Sequence, residues 1–162
     1  MKTPLCDFTI EELTELMLSY GEKAYRAKQL MRHITAYDAF EEYTDIPKAL
    51  IEKLKENYSD RALAENTRVT ASDGAIRYLF ETNSGDLIES VFLPHEYGNS
   101  VCVSCQVGCG MGCTFCASGR YGMTRNISAR GILWQSLFIA GDKRERGRLK
   151  SIVMMGRREP RA

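Results

Sequence analysis

The stretch Val101-Cys-Val-Ser-Cys-Gln-Val-Gly-Cys-Gly-Met-Gly-Cys-Thr-Phe-Cys116 decides how the rest of this 162-residue chain is read. Cys6 stands alone, and the other five cysteines, Cys102, Cys105, Cys109, Cys113 and Cys116, all fall inside this stretch. A reducing compartment disfavours structural disulfides, so such clustering points to metal or redox chemistry. Its centre is a C-x3-C-x2-C motif at Cys109, Cys113 and Cys116. Thiolates are the usual ligands of iron–sulfur clusters, and a short loop can wrap three of them around one cubane, leaving one iron open to a small molecule. Gly108, Gly110 and Gly112 allow tight turns and close approach of the backbone, and Phe115 offers an apolar cover against water. A zinc reading uses the same residues differently. Cys102-x2-Cys105 and Cys113-x2-Cys116 form two pairs suited to a tetrahedral ion, although their separation is shorter than the usual zinc-ribbon loop. If VCVSC is one strand, Cys102 and Cys105 also point to opposite faces, which weakens the zinc arrangement.

Working outward, Val101 to Ser104 reads as a strand entering the loop. Ser128 can cap a helix running to about Ala140, with Ile132, Leu133, Leu137 and Phe138 as its buried side. Gly141 can end it, and Ser151 to Met155 reads as a buried strand. The order strand, loop, helix, strand is one βαβ unit. Upstream, Arg68 to Thr70, Ala75 to Glu81 and Leu87 to Leu93 read as strands joined by turns at Asp73-Gly74 and Ser84-Gly85-Asp86. In the third strand Leu87, Glu89, Val91 and Leu93 share one side, placing Glu89 on a mostly apolar face. As a bare pattern, Glu89 also fits an exposed strand carboxylate, and Cys102 a buried core thiol.

The first 60 residues read as three helices. Thr9 with Glu12 makes a capping-box signature ahead of Ile10, Leu13, Leu16 and Met17, and Gly21 is a stop. A second helix covers about Ala24 to Thr35, and Pro47 fits the first turn of a third with Leu50, Ile51 and Leu54 on one face. The formal net charge of +1 hides an asymmetry. Residues 1–119 carry a net −7, and residues 120–162 carry 11 Lys or Arg against 3 Asp or Glu, a net +8. A basic segment beside a cysteine cluster fits a polyanion such as RNA, with Arg120, Arg125, Asn126 and Arg130 as candidates to meet phosphates, or simply a solvated face. The apolar runs are too short to span a bilayer, and the opening MKTPLCDFTIEEL turns acidic too early for a signal peptide, so the expectation is a cytoplasmic protein without a membrane partner.

The segment GNSVCVSCQVGCGMGCTFCASGRYGMTRNIS, residues 98–128, resembles the cluster region of the radical-SAM RlmN/Cfr family of adenine-C2 and adenine-C8 RNA methyltransferases. The likeness continues in GEKAYRAKQLMRHI (21–34), YTDIPKALIEKLKENY (43–58), DGAIRYLFETNSGDLIESVFLP (73–94) and SIVMMG (151–156). QVGC is similar to the RlmN branch, which acts on C2. The resemblance implies an α/β fold: a small helical N-terminal domain over 1–60, a β-hairpin region over 61–98, and the start of a radical-SAM partial (β/α) barrel over 99–162. It implies that Cys109, Cys113 and Cys116 ligate a [4Fe-4S] cluster that binds S-adenosyl-L-methionine (SAM) and cleaves it to a 5′-deoxyadenosyl radical. It further implies Glu89 as proton acceptor, Cys102 as the thiol that releases product by a disulfide with a methyl-carrying cysteine, and SAM contacts from Arg158 and Glu159. The implied partners are 23S rRNA, tRNA and an electron donor such as flavodoxin, with the protein a monomer.

Two departures accompany the likeness. The family's GMGEP-type turn reads Gly156-Arg157-Arg158-Glu159-Pro160, with two bulky cations where a glycine-bearing turn is expected. The remaining barrel strands and the carrier cysteine have no counterpart before Ala162. The expectation is therefore a truncated or frameshifted product, inactive alone and poorly ordered in its barrel portion. Cys105 receives no role.

Overall fold

The computed structural model describes residues 2–82, 84–116, 122–143 and 147–154. The chain divides into two compact units, Met1–Ala62 and Leu63–Ala162.

In the first unit, helices α1 (Ile10–Ser19), α2 (Tyr25–Ala36) and α3 (Lys48–Asn57) bury Leu13, Met17, Ala27, Leu30, Ile34, Leu50, Ile51 and Leu54. A short parallel pair, β1 (Thr3–Pro4) with β2 (Tyr58–Ser59), ties its two ends together. The capping box is complete: the Glu12 N–H donates to Thr9 Oγ1 at 3.2 Å and the Thr9 N–H to Glu12 Oε2 at 2.6 Å. Gly21, at φ +76°, closes α1 as the glycine pattern predicts. The end of α2 has no such signal. Tyr37 takes the left-handed conformation there (φ +59°), and the Asp38 N–H reaches back to the His33 carbonyl at 3.0 Å. A tyrosine tolerates this because its ring is buried beneath the Arg61 guanidinium, 4.5 Å from the ring centroid. Burial pushes its phenol up to about 12, against the pull of Arg61. His33 is buried and stacked on Tyr43, with Nδ1 2.8 Å from Asp38 Oδ2 and Nε2 2.5 Å from Asp45 Oδ1. The hydrogen bond to His33 holds the Asp45 carboxyl below the usual range.

The second unit is a five-stranded sheet in the order β3-β4-β5-β6-β9, formed by β3 (Leu63–Thr70), β4 (Ile76–Thr82), β5 (Leu87–Leu93), β6 (Asn99–Val103) and β9 (Leu149–Val153). The first four strands run antiparallel and β9 joins β6 in parallel, so the hairpin region and the first core strand share one sheet. The Ala75 N–H donates to Asp73 Oδ1 at 3.0 Å and Gly85 sits at φ +80°, as the turn residues predict. The crossover between β6 and β9 carries a separate ribbon, β7 (Gln106–Gly108) with β8 (Met123–Asn126), and helix α4 (Ala129–Asp142), capped by Ser128 Oγ on the Gly131 N–H.

Two expectations are corrected. The buried residues of α4 are Trp134, Gln135, Ser136 and Ile139, whereas Leu133 is 49% exposed and Ile132, Leu137 and Phe138 are half-buried. The helix is apolar almost all round, so periodicity alone gave no phase. Strand β9 is largely exposed rather than buried, with Ile152 50% exposed, because it is the edge strand among the described residues. Met155 lies outside the described residues.

Asp142 joins the end of α4 to the sheet. Tyr78 Oη donates to its Oδ2 at 2.6 Å, and Arg68 Nη1 lies 3.0 Å and Lys143 Nζ 2.7 Å from the same oxygen. Burial pushes this carboxyl up, but the Lys143 and Tyr78 hydrogen bonds and the Arg68 charge together hold it below the usual range. These donors also offset the poor placement of an anion at a helix C-terminus.

Two outcomes follow from these contacts. Thr9→Ala removes half the capping box and lowers the urea-unfolding stability of the first unit by about 1 kcal/mol. A depressed carboxyl stabilises the fold above its unfolded pKa, and that stability disappears as pH falls through the folded value. The gap in urea midpoint between wild type and Asp142→Asn is therefore full above about pH 4 and closes below it.

Candidate functional site

The pairing of β5 with β6 sets the site. Val91 lies opposite Cys102, and Phe92 opposite Val101. Directly paired residues face the same way, so Glu89, two residues before Val91, is a diagonal neighbour of Cys102 on one face of the sheet. The other face carries Ile88, Ser90 and Phe92 of β5 with Val101 and Val103 of β6, all buried, and Phe138 of α4 packs edge-on against Tyr78 and Phe80 of β4. The expectation that Glu89 shares a side with Leu87, Val91 and Leu93 holds. That side is the open one, however: Leu87 is 48% exposed, and Glu89, Val91 and Leu93 are half-buried. Cys102 is half-buried on the same face.

Strand β6 ends at Val103, so Cys105 lies beyond it, and the alternation argument that set Cys102 against Cys105 does not apply. Cys105 is buried, and its carbonyl accepts from the Ile127 N–H at 2.8 Å. The ribbon of β7 and β8 then leads into the thiol loop. Gly108 turns at φ +74°, and the Cys109 N–H donates to the Gly122 carbonyl at 2.6 Å. A Cβ on Gly108 would stand 2.2 Å from that same carbonyl oxygen, so only glycine fits. Gly112 also has a left-handed backbone, φ +61°, and the Cys116 N–H closes a turn onto the Cys113 carbonyl at 3.1 Å. Cys109 is buried, while Cys113 and Cys116 are half-buried. Phe115, expected as an apolar cover, is 91% exposed. Arg158 and Glu159 lie outside the described residues, as does Arg120. Arg125 is committed to an ion pair with Asp86.

None of the six cysteines forms a disulfide. Among the described residues, no group of three His, Cys, Asp or Glu side chains is gathered closely enough to hold a metal ion, and this applies equally to the trio 109/113/116 and to the zinc pairs. The donor set nevertheless fits an iron–sulfur group: three thiols lie within eight residues on a loop loosened by two left-handed glycines. The periodicity also missed Gln135, a fully buried amide whose only sequence signal is a polar residue between Trp134 and Leu137.

A hairpin sheet passing into a parallel β6–α4–β9 unit, with a three-cysteine loop after β6, defines the beginning of a radical-SAM-type α/β core. The solved structure of a radical SAM methyltransferase from Sphaerobacter thermophilus superposes with a TM-score of 0.85 at 37% identity, over 95% of this chain and 46% of that one. Residues 3–59 match the ribosomal RNA large subunit methyltransferase N-terminal domain. Curated relatives named probable dual-specificity RNA methyltransferase RlmN include one from Clostridium perfringens, 44% identical over 96% of this chain, and one from Bacillus velezensis, 40% identical over 94%. The chain belongs to the RlmN family, and it spans about half the length of these relatives, 45% and 43% respectively. Among the described residues no helix is long and apolar enough to cross a membrane.

The glycine geometry gives a graded outcome. Gly108→Ala meets both the backbone strain and the Gly122 carbonyl, and lowers urea-unfolding stability of the second unit by at least about 2 kcal/mol. Gly112→Ala, with open space around its Cβ, costs only about 1 kcal/mol.

Proposed function

We propose that Cys109, Cys113 and Cys116 hold a [4Fe-4S] cluster, and that the protein acts as a radical-SAM methyltransferase on adenine C2 of 23S rRNA and tRNA. The observation that carries this reading is the placement of Glu89 and Cys102 on one open sheet face, on the strands that lead into the three-thiol loop. When bound, the cluster would supply an open iron for the amino and carboxylate groups of SAM and the electron that cleaves its sulfonium bond. The residues of this chain contribute the following roles. Glu89 accepts the proton that leaves adenine C2. Cys102 forms the disulfide that frees the methylated base from a carrier cysteine. Arg158 and Glu159 contact SAM. The exposed Arg130, Arg148 and Lys150 meet RNA phosphates. A one-electron donor of the flavodoxin type completes the system, and the protein works as a cytoplasmic monomer.

Anaerobic loading of the 162-residue chain with iron and sulfide tests the reading. The expected product is brown, with about four irons per chain. Cys109→Ala, Cys113→Ala and Cys116→Ala each abolish the colour, and Cys102→Ala and Cys105→Ala retain it. A colourless chain that instead takes one zinc, lost on replacing Cys102 or Cys105, overturns the proposal.

A further inference from the structure

We propose that Gln135 is a positioning residue: its side-chain amide fixes the backbone at which β6 ends and the thiol loop begins. The ladder between β5 and β6 stops at the pair Ser90 and Val103, so among the described residues Ser104 has no strand partner in register. Ser104 is nevertheless completely buried, and a buried peptide group must find hydrogen bonds. Gln135 supplies both. Its Oε1 accepts from the Ser104 N–H at 2.9 Å, and its Nε2 donates to the Ser104 carbonyl at 2.9 Å, so the amide stands in for a neighbouring strand.

The same amide is saturated on its remaining valences. Oε1 also accepts from Ser90 Oγ at 2.7 Å, and Nε2 donates to the Gly131 carbonyl at 3.0 Å, one turn back along α4. Ser104 Oγ in turn donates to the Glu89 carbonyl at 2.6 Å. One buried side chain thus links α4, the backbone beneath Glu89 and the residue two positions after Cys102. Hydrophobic packing would hold α4 against the sheet without any of these bonds. A fully satisfied amide at this place fixes instead the direction in which the chain leaves β6.

The geometry stands on its own, and its consequence for the cluster rests on the proposed function. The test compares wild type, Gln135→Leu and Gln135→Met in the full chain. The methionine variant keeps the side-chain length and loses both bonds to Ser104, so it carries the test if the leucine variant does not fold. Amide hydrogen exchange at Ser104 and Cys105 is expected to rise at least about tenfold in each folded variant, with the β3 and β4 amides unchanged. Cys109 becomes correspondingly faster to alkylate, and after iron–sulfide loading the electron paramagnetic resonance signal of the reduced cluster changes shape. Uniform acceleration across the sheet, or an unchanged Ser104 amide and cluster signal, overturns the proposal. If wild type itself takes no cluster, the functional reading fails, and the exchange and alkylation arms still decide the role of Gln135.

Discussion

The register of β5 on β6 is the constraint on which the second unit depends. Strand side chains alternate, so slipping β5 by one residue on β6 would turn Glu89 into the face covered by α4, part it from Cys102, and expel Ile88, Ser90 and Phe92 from the core. A carboxylate forced into that layer would lose water without gaining a partner, and two large apolar side chains would be exposed. The buried face therefore decides which residues share the open face. Glu89 and Cys102 stay on one side because burial of Phe80, Ile88, Phe92, Val101 and Val103 favours this pairing.

The thiol loop is rooted by a different kind of force. Where the ladder ends, polar contacts replace it: Gln135 on Ser104, the Ile127 N–H on the Cys105 carbonyl, and the Gly122 carbonyl on the Cys109 N–H. Each bond adds modest net stability, but leaving such buried groups unpaired is costly. The root is consequently directional, while the tip, with Met111 57% and Phe115 91% exposed, makes little contact with the described residues.

Some features were legible because they depend on neighbours in the chain. Thr9 and Glu12, Gly21, Asp73-Gly74 and the span of β5 all came from local rules, and the structure places them as read. Others were hidden by the physics that made them. Tyr37 ends α2 in a conformation that a tyrosine takes only because Arg61 and the surrounding core hold its ring. The phase of α4 was illegible because apolar residues surround its axis, and its one decisive side chain is polar. Cys105 looked like a strand residue, but Ser104 is paired by a helix side chain instead of a strand, and the alternation stops there.

The sequence by itself determined the chemistry on offer: three thiols at a spacing suited to one cluster, glycines where the backbone must turn, and a likeness that named the family. Those are properties of residue type and short spacing, which survive without a fold. Only the tertiary structure decided that Glu89 and Cys102, thirteen positions apart in the chain, meet on one sheet face, and that Gln135 reaches Ser104 across thirty-one residues. Pairing register and helix phase are fixed by how distant apolar surfaces fill a common core, and no window along the chain contains that information.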